Sequence, residues 1–228
     1  MPDLTAMMED ASAKLVAMQY LSCEAKCLEA LAVARLDQDW RLYARIVMPL
    51  QEARRQRRMI AADAVVQLGS AEGYEPAAAG CVVLTHPDHE ERALATLDAA
   101  RRDGGHVEVL FADNPADAVR WTLRSFEGPE VSVEIDAPLE ALRNAPLHPD
   151  ETNGTGVTPR HWFVAASEAL GDAALSRVDA ALGSVERVEQ LEAFITACGD
   201  HELLHQALFD AAHAVAKART TPTSQVSA

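Results

Sequence analysis

The stretch from Tyr20 to Arg58, YLSCEAKCLEALAVARLDQDWRLYARIVMPLQEARRQRR, constrains the fold of this chain more than any other. Apolar residues recur at helical spacing on both sides of the polar break Asp37-Gln38-Asp39, which predicts two long amphipathic helices folded back on each other as a hairpin. On the first helix Leu21, Ala25, Leu28 and Ala32 share one face, flanked by Tyr20, Cys23, Cys27 and Leu31, a stripe wide enough for a core face. The second runs from Trp40 through Leu42, Ile46, Val47, Leu50 and Ala53, with Asp37 or Asp39 available to cap it. Pro49 lies inside that run, where its missing N–H and ring clash predict a kink near Arg45 to Met48 or a break into two helices. Nothing from Thr5 to Tyr20 is a helix breaker, so a helix over Asp3 to Gln19 is expected to continue into the first helix of the hairpin.

At Asp39-Trp40 to Ala44 the hairpin resembles a tetratricopeptide-like unit, in which an acidic-aromatic turn opens the second helix and a small residue sits one turn later. The resemblance covers about one unit, residues 20–58; Leu31 stands where the family has a small residue, Gln51 where it prefers Ala, and the unit is not repeated downstream. What the resemblance implies is protein binding, the usual work of such units.

After Arg58 the apolar pattern continues as helix through Met59 to Leu68 and stops at Gly69-Ser70-Ala71-Glu72-Gly73. Residues 1–74 therefore read as a helical hairpin domain, and residues 75–137 as a small α/β domain in which the period switches. Cys81 to Leu84 suits a buried strand, Asp88 to Asp103 a helix, His106 to Phe111 a strand, Ala116 to Ser125 a helix carrying Trp121, and Val131, Val133 and Ile135 a strand ending at Asp136. Strands alternating with helices predict a three-stranded parallel βαβαβ sheet with right-handed crossovers. Residues 138–157 are rich in Pro, Gly and polar groups and read as a linker loop. Thr158-Pro159 starts a C-terminal bundle over 158–219, divided by Gly171-Asp172, Gly183-Ser184 and Gly199-Asp200 into about four short helices, and 220–228 reads as a disordered tail. The expected class is thus α+β and α-rich.

Composition narrows the function classes. Thirty-five acidic against 20 basic residues, a formal charge of −15, oppose general attraction to nucleic acid or to an anionic membrane. No apolar run reaches a membrane-spanning length and the start is not signal-like, so a cytoplasmic location is expected. Four cysteines in 228 residues do not make a disulfide framework, and Cys23 and Cys27 read as buried thiols.

Two strings carry candidate chemistry. His201-Glu202-Leu203-Leu204-His205 matches the H-E-x-x-H pattern of zinc peptidases, but no third ligand follows at a workable spacing, and Asp200 caps the helix and leaves His201 in its first turn. His86, Asp88 and His89, with Asp113 and Asp136, fall at the carboxyl ends of the three expected strands, where open α/β sheets place ligands. H-P-D-H there resembles the latter half of the metallo-β-lactamase ligand motif, with Leu84 in place of its first histidine. Arg41, Arg45, Arg54, Arg55, Arg57 and Arg58 cluster on the hairpin and read either as a solvated face or as a patch for an acidic partner. No complete catalytic set, resident metal or cofactor is assigned. The preferred reading is a non-enzymatic interaction or assembly module using the hairpin, with a protein partner or a second copy. The alternative is a ligand- or metal-binding protein, or an enzyme, with its site at the sheet edge.

Overall fold

Three helices of this chain begin where a short polar side chain takes up the N–H groups that a first turn leaves open. Asp3 Oδ1 accepts from the N–H groups of Thr5 and Ala6 at 2.9 and 3.3 Å and starts α1 (Leu4–Val16). Asp39 Oδ1 accepts from Leu42 at 3.0 Å and starts α3 (Trp40–Ala62). Thr158 Oγ1 accepts from His161 at 3.2 Å and, with Pro159 in the first turn, starts α4 (Pro159–Ser176). The other elements are α2 (Tyr20–Leu36), β1 (Val65–Leu68), β2 (Gly80–Leu84), β3 (Val107–Asp113), β4 (Arg120–Arg124), β5 (Ser132–Asp136), α5 (Ser184–Ala197) and α6 (Glu202–Thr220). The computed structural model describes residues 3–68, 79–85, 95, 97–100, 102–113, 119–125, 127–136 and 158–220. The class is mixed α/β as expected, and among the described residues no helix is long and apolar enough to cross a membrane.

The chain divides into two compact units, one of Met1–Ala53, Val178–Glu192 and Glu202–Ala228, the other of Arg54–Arg177 and Ala193–His201. The division falls within α3, just after α4, within α5 and just before α6.

The first unit is helical. The continuous helix expected over Asp3 to Gln19 and beyond is instead broken between α1 and α2, where Met18 adopts a φ of 58°. The N–H of Gln19 then returns to the carbonyl of Lys14 at 2.9 Å. Gln38 does the same between α2 and α3, with a φ of 56° and the N–H of Asp39 on the carbonyl of Ala34 at 2.9 Å. Each left-handed non-glycine residue costs about 1–2 kcal/mol, offset by closing the helix end and by packing α1 on α2. Of the two outcomes expected at Pro49, the break does not occur, since α3 runs through it; the Cys23 thiol on α2 reaches the Pro49 carbonyl at 4.0 Å, which places the two helices side by side.

The second unit is built on a five-stranded sheet in the order β1-β2-β3-β4-β5. This replaces the expected three-stranded parallel sheet: β1, β2 and β3 are parallel, and β4 and β5 are antiparallel additions. Two expected helical stretches are strands. Val65–Leu68 leaves α3 after the turn at Asp63-Ala64 and pairs with β2, as β-branched Val65 and Val66 favour. Arg120–Arg124, expected as a helix around Trp121, forms a hairpin with β5. Its turn is closed by Ser125, whose Oγ accepts from the Val131 N–H and donates to the Pro129 carbonyl, both at 2.9 Å. Gly128 sits there at a φ of 69°, and a Cβ on it would come within 2.8 Å of the Ala193 carbonyl.

Register assigns the faces. Val82, Leu84, Val107, Val109 and Phe111 lie on one, packed with Leu97 and Ala100 of the helical residues 97–100. On the other lie Cys81, Val83, Glu108, Leu110 and Ala112, continued by Leu123 and Trp121. Helix α4 crosses that second face, with Trp121 and Trp162 in an edge-to-face pair at 6.1 Å. Gly171-Asp172 does not end α4 as expected, so the C-terminal segment holds three helices: a Cβ on Gly171 would lie 2.2 Å from the His201 ring, and the glycine opens a seat for that ring in mid-helix. On helix propensity alone Gly171→Ala gains up to about 1 kcal/mol. Here it is expected to destabilise by about 1–3 kcal/mol in urea titration; a stabilised variant would show that the ring does not occupy that seat.

Candidate functional site

Helix α2 carries apolar residues around most of its circumference, so burying one face leaves another apolar face outside. The buried set is Cys23, Cys27, Ala30, Leu31 and Ala34, together with Glu24. The stripe expected as a core face lies elsewhere: Ala25, Leu28 and Ala32 are exposed and Leu21 is half-buried. Size does not sort the two sides, since Leu31 and Glu24 are inside and Ala25 and Ala32 outside; the neighbours of α2 decide which side is covered. Leu36 at the helix end is 83% exposed and Met18 ahead of the helix 72%. Leu21, Ala25, Leu28 and Ala32 thus form an alternating Leu/Ala row at spacings of 4, 3 and 4 residues on a solvent-facing side.

The opposite side of this helix is packed. Cys23 and Cys27 sulfurs lie 4.0 Å apart, fully buried, and that contact, opposed by burial, draws the Cys23 thiol below its ordinary range. At the other end the guanidinium groups of Arg35 and Arg219 lie over the Trp40 indole, 4.7 and 5.8 Å from its centre. Arg35 donates to Glu189 at 2.8 Å, Arg219 donates to Gln38 at 2.9 Å, and the buried Tyr43 hydroxyl donates to Glu192 at 2.5 Å. Burial first, and then Glu192, pushes the Tyr43 hydroxyl far above its usual range, so it remains a donor.

The six arginines do not share one environment. Arg41 and Arg45 are exposed, and Arg55 reaches Met59 Sδ at 3.5 Å. Arg54, Arg57 and Arg58 enter the interior of the second unit instead. Arg57 is only 3% exposed, 3.6 Å from Glu108 Oε1; Arg54 donates to the Gly199 carbonyl at 3.1 Å; Arg58 pairs with Glu168. His201 Nε2 lies 3.4 Å from Glu168 and 3.2 Å from Asp172. Desolvation resists ionisation of Asp200, yet its hydrogen bond with Glu108 and the guanidinium groups of Arg57, Arg54 and Arg58 outweigh it and hold its carboxyl below the usual range. Burial, reinforced by Asp200, pushes the Cys198 thiol up to about 12. Sequence reading missed this cluster because Glu108 occupies a position that alternates outward along β3, and arginine runs ordinarily face solvent. Gly171 inside an otherwise helical pattern was the one local sign.

Of the sheet-edge residues, His86, Asp88 and His89 lie outside the described residues. Asp113 and Asp136 end β3 and β5 on the same edge with β4 between them. Each meets an arginine of β4: Arg124 at 2.8 Å from Asp113 and Arg120 at 3.7 Å from Asp136. The H-E-x-x-H histidines part: His201 precedes α6 and packs on α4, whereas His205 is fully buried within the other unit. Among the described residues no three His, Cys, Asp or Glu side chains are grouped as metal ligands would be.

A carboxylate whose folded pKa is depressed contributes stability that is present above its unfolded pKa and lost as pH falls through the folded one. Asp200→Asn is therefore expected to cost about 3–5 kcal/mol at neutral pH, with the gap to the parent closing in urea titrations repeated toward pH 3; a pH-independent gap would remove the ionised Asp200. The Cys198 thiol, with so high a pKa, is expected to react with Ellman's reagent at pH 8 at least about a hundredfold more slowly folded than in urea. No protein-family model, curated protein or solved structure matches this chain, so its function is argued from the geometry above.

Proposed function

We propose that this protein is a non-enzymatic interaction module that receives a helix of a partner protein on the exposed face of α2. The carrying observation is the solvent-facing row Leu21, Ala25, Leu28 and Ala32, followed by Leu36, on a helix whose opposite face is already filled. Leucines every seventh residue supply knobs, and the alanines between them let a second helix approach closely, so the row has the chemistry of a helix-packing seam. The likeness of Asp39-Trp40 to Ala44 to a tetratricopeptide-like turn supports the same reading. The contacts of Arg35 and Arg219 with Trp40 support it too, since side chains already paired at the hairpin base lower the ordering cost of binding.

Charge selects the occupant. A second copy brings another −15, whereas a helix with basic residues beside its apolar stripe is attracted. The partner is accordingly read as a basic amphipathic helix.

A photo-crosslinking residue at position 28 identifies the partner, which is then purified and titrated. The double variant Leu28→Glu, Ala32→Glu is expected to weaken that purified complex at least about a hundredfold, because each buried apolar contact becomes a buried charge. Its own stability is expected to change by no more than about 0.5 kcal/mol, as for exposed positions. Undiminished binding by the variant would remove the seam from the interface. Light scattering that shows a dimer of the parent and a monomer of the variant would make a second copy the occupant instead.

A further inference from the structure

Cys23 and Cys27 stand one turn apart on the inner side of α2, and neither thiol takes part in the docking row on the other side. Their sulfurs lie 4.0 Å apart, and both side chains are wholly removed from solvent. Thiolate bonds to first-row metal ions are about 2.3 Å long, so two sulfurs holding one ion stand at most about 4.6 Å apart. The pair therefore already has a separation that a single ion can bridge, with both ligands supplied by one helix.

The surroundings add a weak donor and little else. The Pro49 carbonyl of α3 is 4.0 Å from the Cys23 sulfur, and a backbone oxygen is the kind of long, weak ligand that soft thiolate sites accept. Ala30, Leu31 and Ala34 complete the buried side of α2, an apolar setting that keeps water from a bound metal.

Ligand number chooses the metal. Zinc takes four strong ligands, and among the described residues no third His, Cys, Asp or Glu joins the pair. Magnesium and calcium seek oxygens. A soft monovalent ion is suited by two thiolates, and its charge leaves the filled site with a single net negative charge. Gln19 gives α2 no side-chain cap, so the open N–H groups of the first turn, which ends at Cys23, offset that charge.

We propose that Cys23 and Cys27 bind one Cu(I) ion between their sulfurs. Two sulfur–copper bonds form, both thiol protons leave to solvent, and copper keeps its oxidation state. The ion enters where the uncapped first turn of α2 opens at least cost.

The experiment is anaerobic titration of the intact, reduced protein with Cu(I) in competition with bicinchoninate, followed by X-ray absorption at the copper edge. One Cu(I) per chain is expected, with two sulfurs and no nitrogen bound to it. Cys23→Ser and Cys27→Ser are each expected to weaken binding at least about a hundredfold, whereas the double variant Cys81→Ser, Cys198→Ser keeps the parent's affinity. Failure to take Cu(I) from bicinchoninate, a nitrogen ligand on the copper, or binding lost only in the Cys81, Cys198 variant would overturn the proposal. Should the Cys23 and Cys27 variants not melt cooperatively, the Cys81→Ser, Cys198→Ser protein decides, because Cys23 and Cys27 are its remaining thiols. A thiolate-to-copper charge-transfer band in its ultraviolet spectrum supports the site, and absence of that band overturns it.

Discussion

Every residue of β2 is buried, and alternate side chains of a strand point to opposite faces, so the sheet has to be covered twice. The rest of the second unit answers that demand. One face closes over Val82, Leu84, Val107 and Phe111 with the helical residues 97–100. The other, bearing Cys81, Val83 and Leu110, is covered by α4 and by the last turns of α3. Those turns are rich in arginine, so covering this face carries guanidinium groups over Glu108. Charges taken out of water survive only when paired, and the carboxylates of Glu108, Glu168 and Asp200 gather where the arginines arrive. His201 joins them because Gly171 leaves room for its ring.

The helical unit meets the opposite problem, an excess of apolar surface. Helix α2 cannot bury all sides at once, and it turns inward Cys23, Cys27, Ala30, Leu31 and Ala34. Leu28 and Leu36 are left outside as a consequence. Behind them the contacts of Arg35 and Arg219 with Trp40 and the Tyr43 to Glu192 hydrogen bond join the hairpin base through side chains from α2, α3, α5 and α6. Two different physical pressures thus produce the two features of interest: an apolar row open to a partner helix, and carboxylates gathered against the arginines of α3.

Much of the architecture was legible locally. Asp39, Thr158 and Gly183 mark helix boundaries by chemistry that acts within one turn, and helices do begin there, whereas the last helix begins at Glu202 and leaves His201 outside the first turn in which Asp200 as cap would have placed it. Strands β2 and β3 follow from runs too short and too β-branched for helices. The Leu21 to Ala32 stripe was visible as well, but periodicity gives only a stripe's existence, not the side of it that meets the core. Met18 shows the same limit, because a left-handed residue without glycine has no local signature.

What this sequence determined by itself is what depends on neighbours a few residues away: caps, helix lengths near capping residues, strand runs and the hairpin turn at Gln38. The tertiary structure alone decided which face of α2 is inside, that Trp121 lies on a strand, that α4 continues through Gly171, and that Arg57 meets Glu108. Each of these joins residues far apart in the chain, and each is settled by burial and charge pairing that no local propensity encodes.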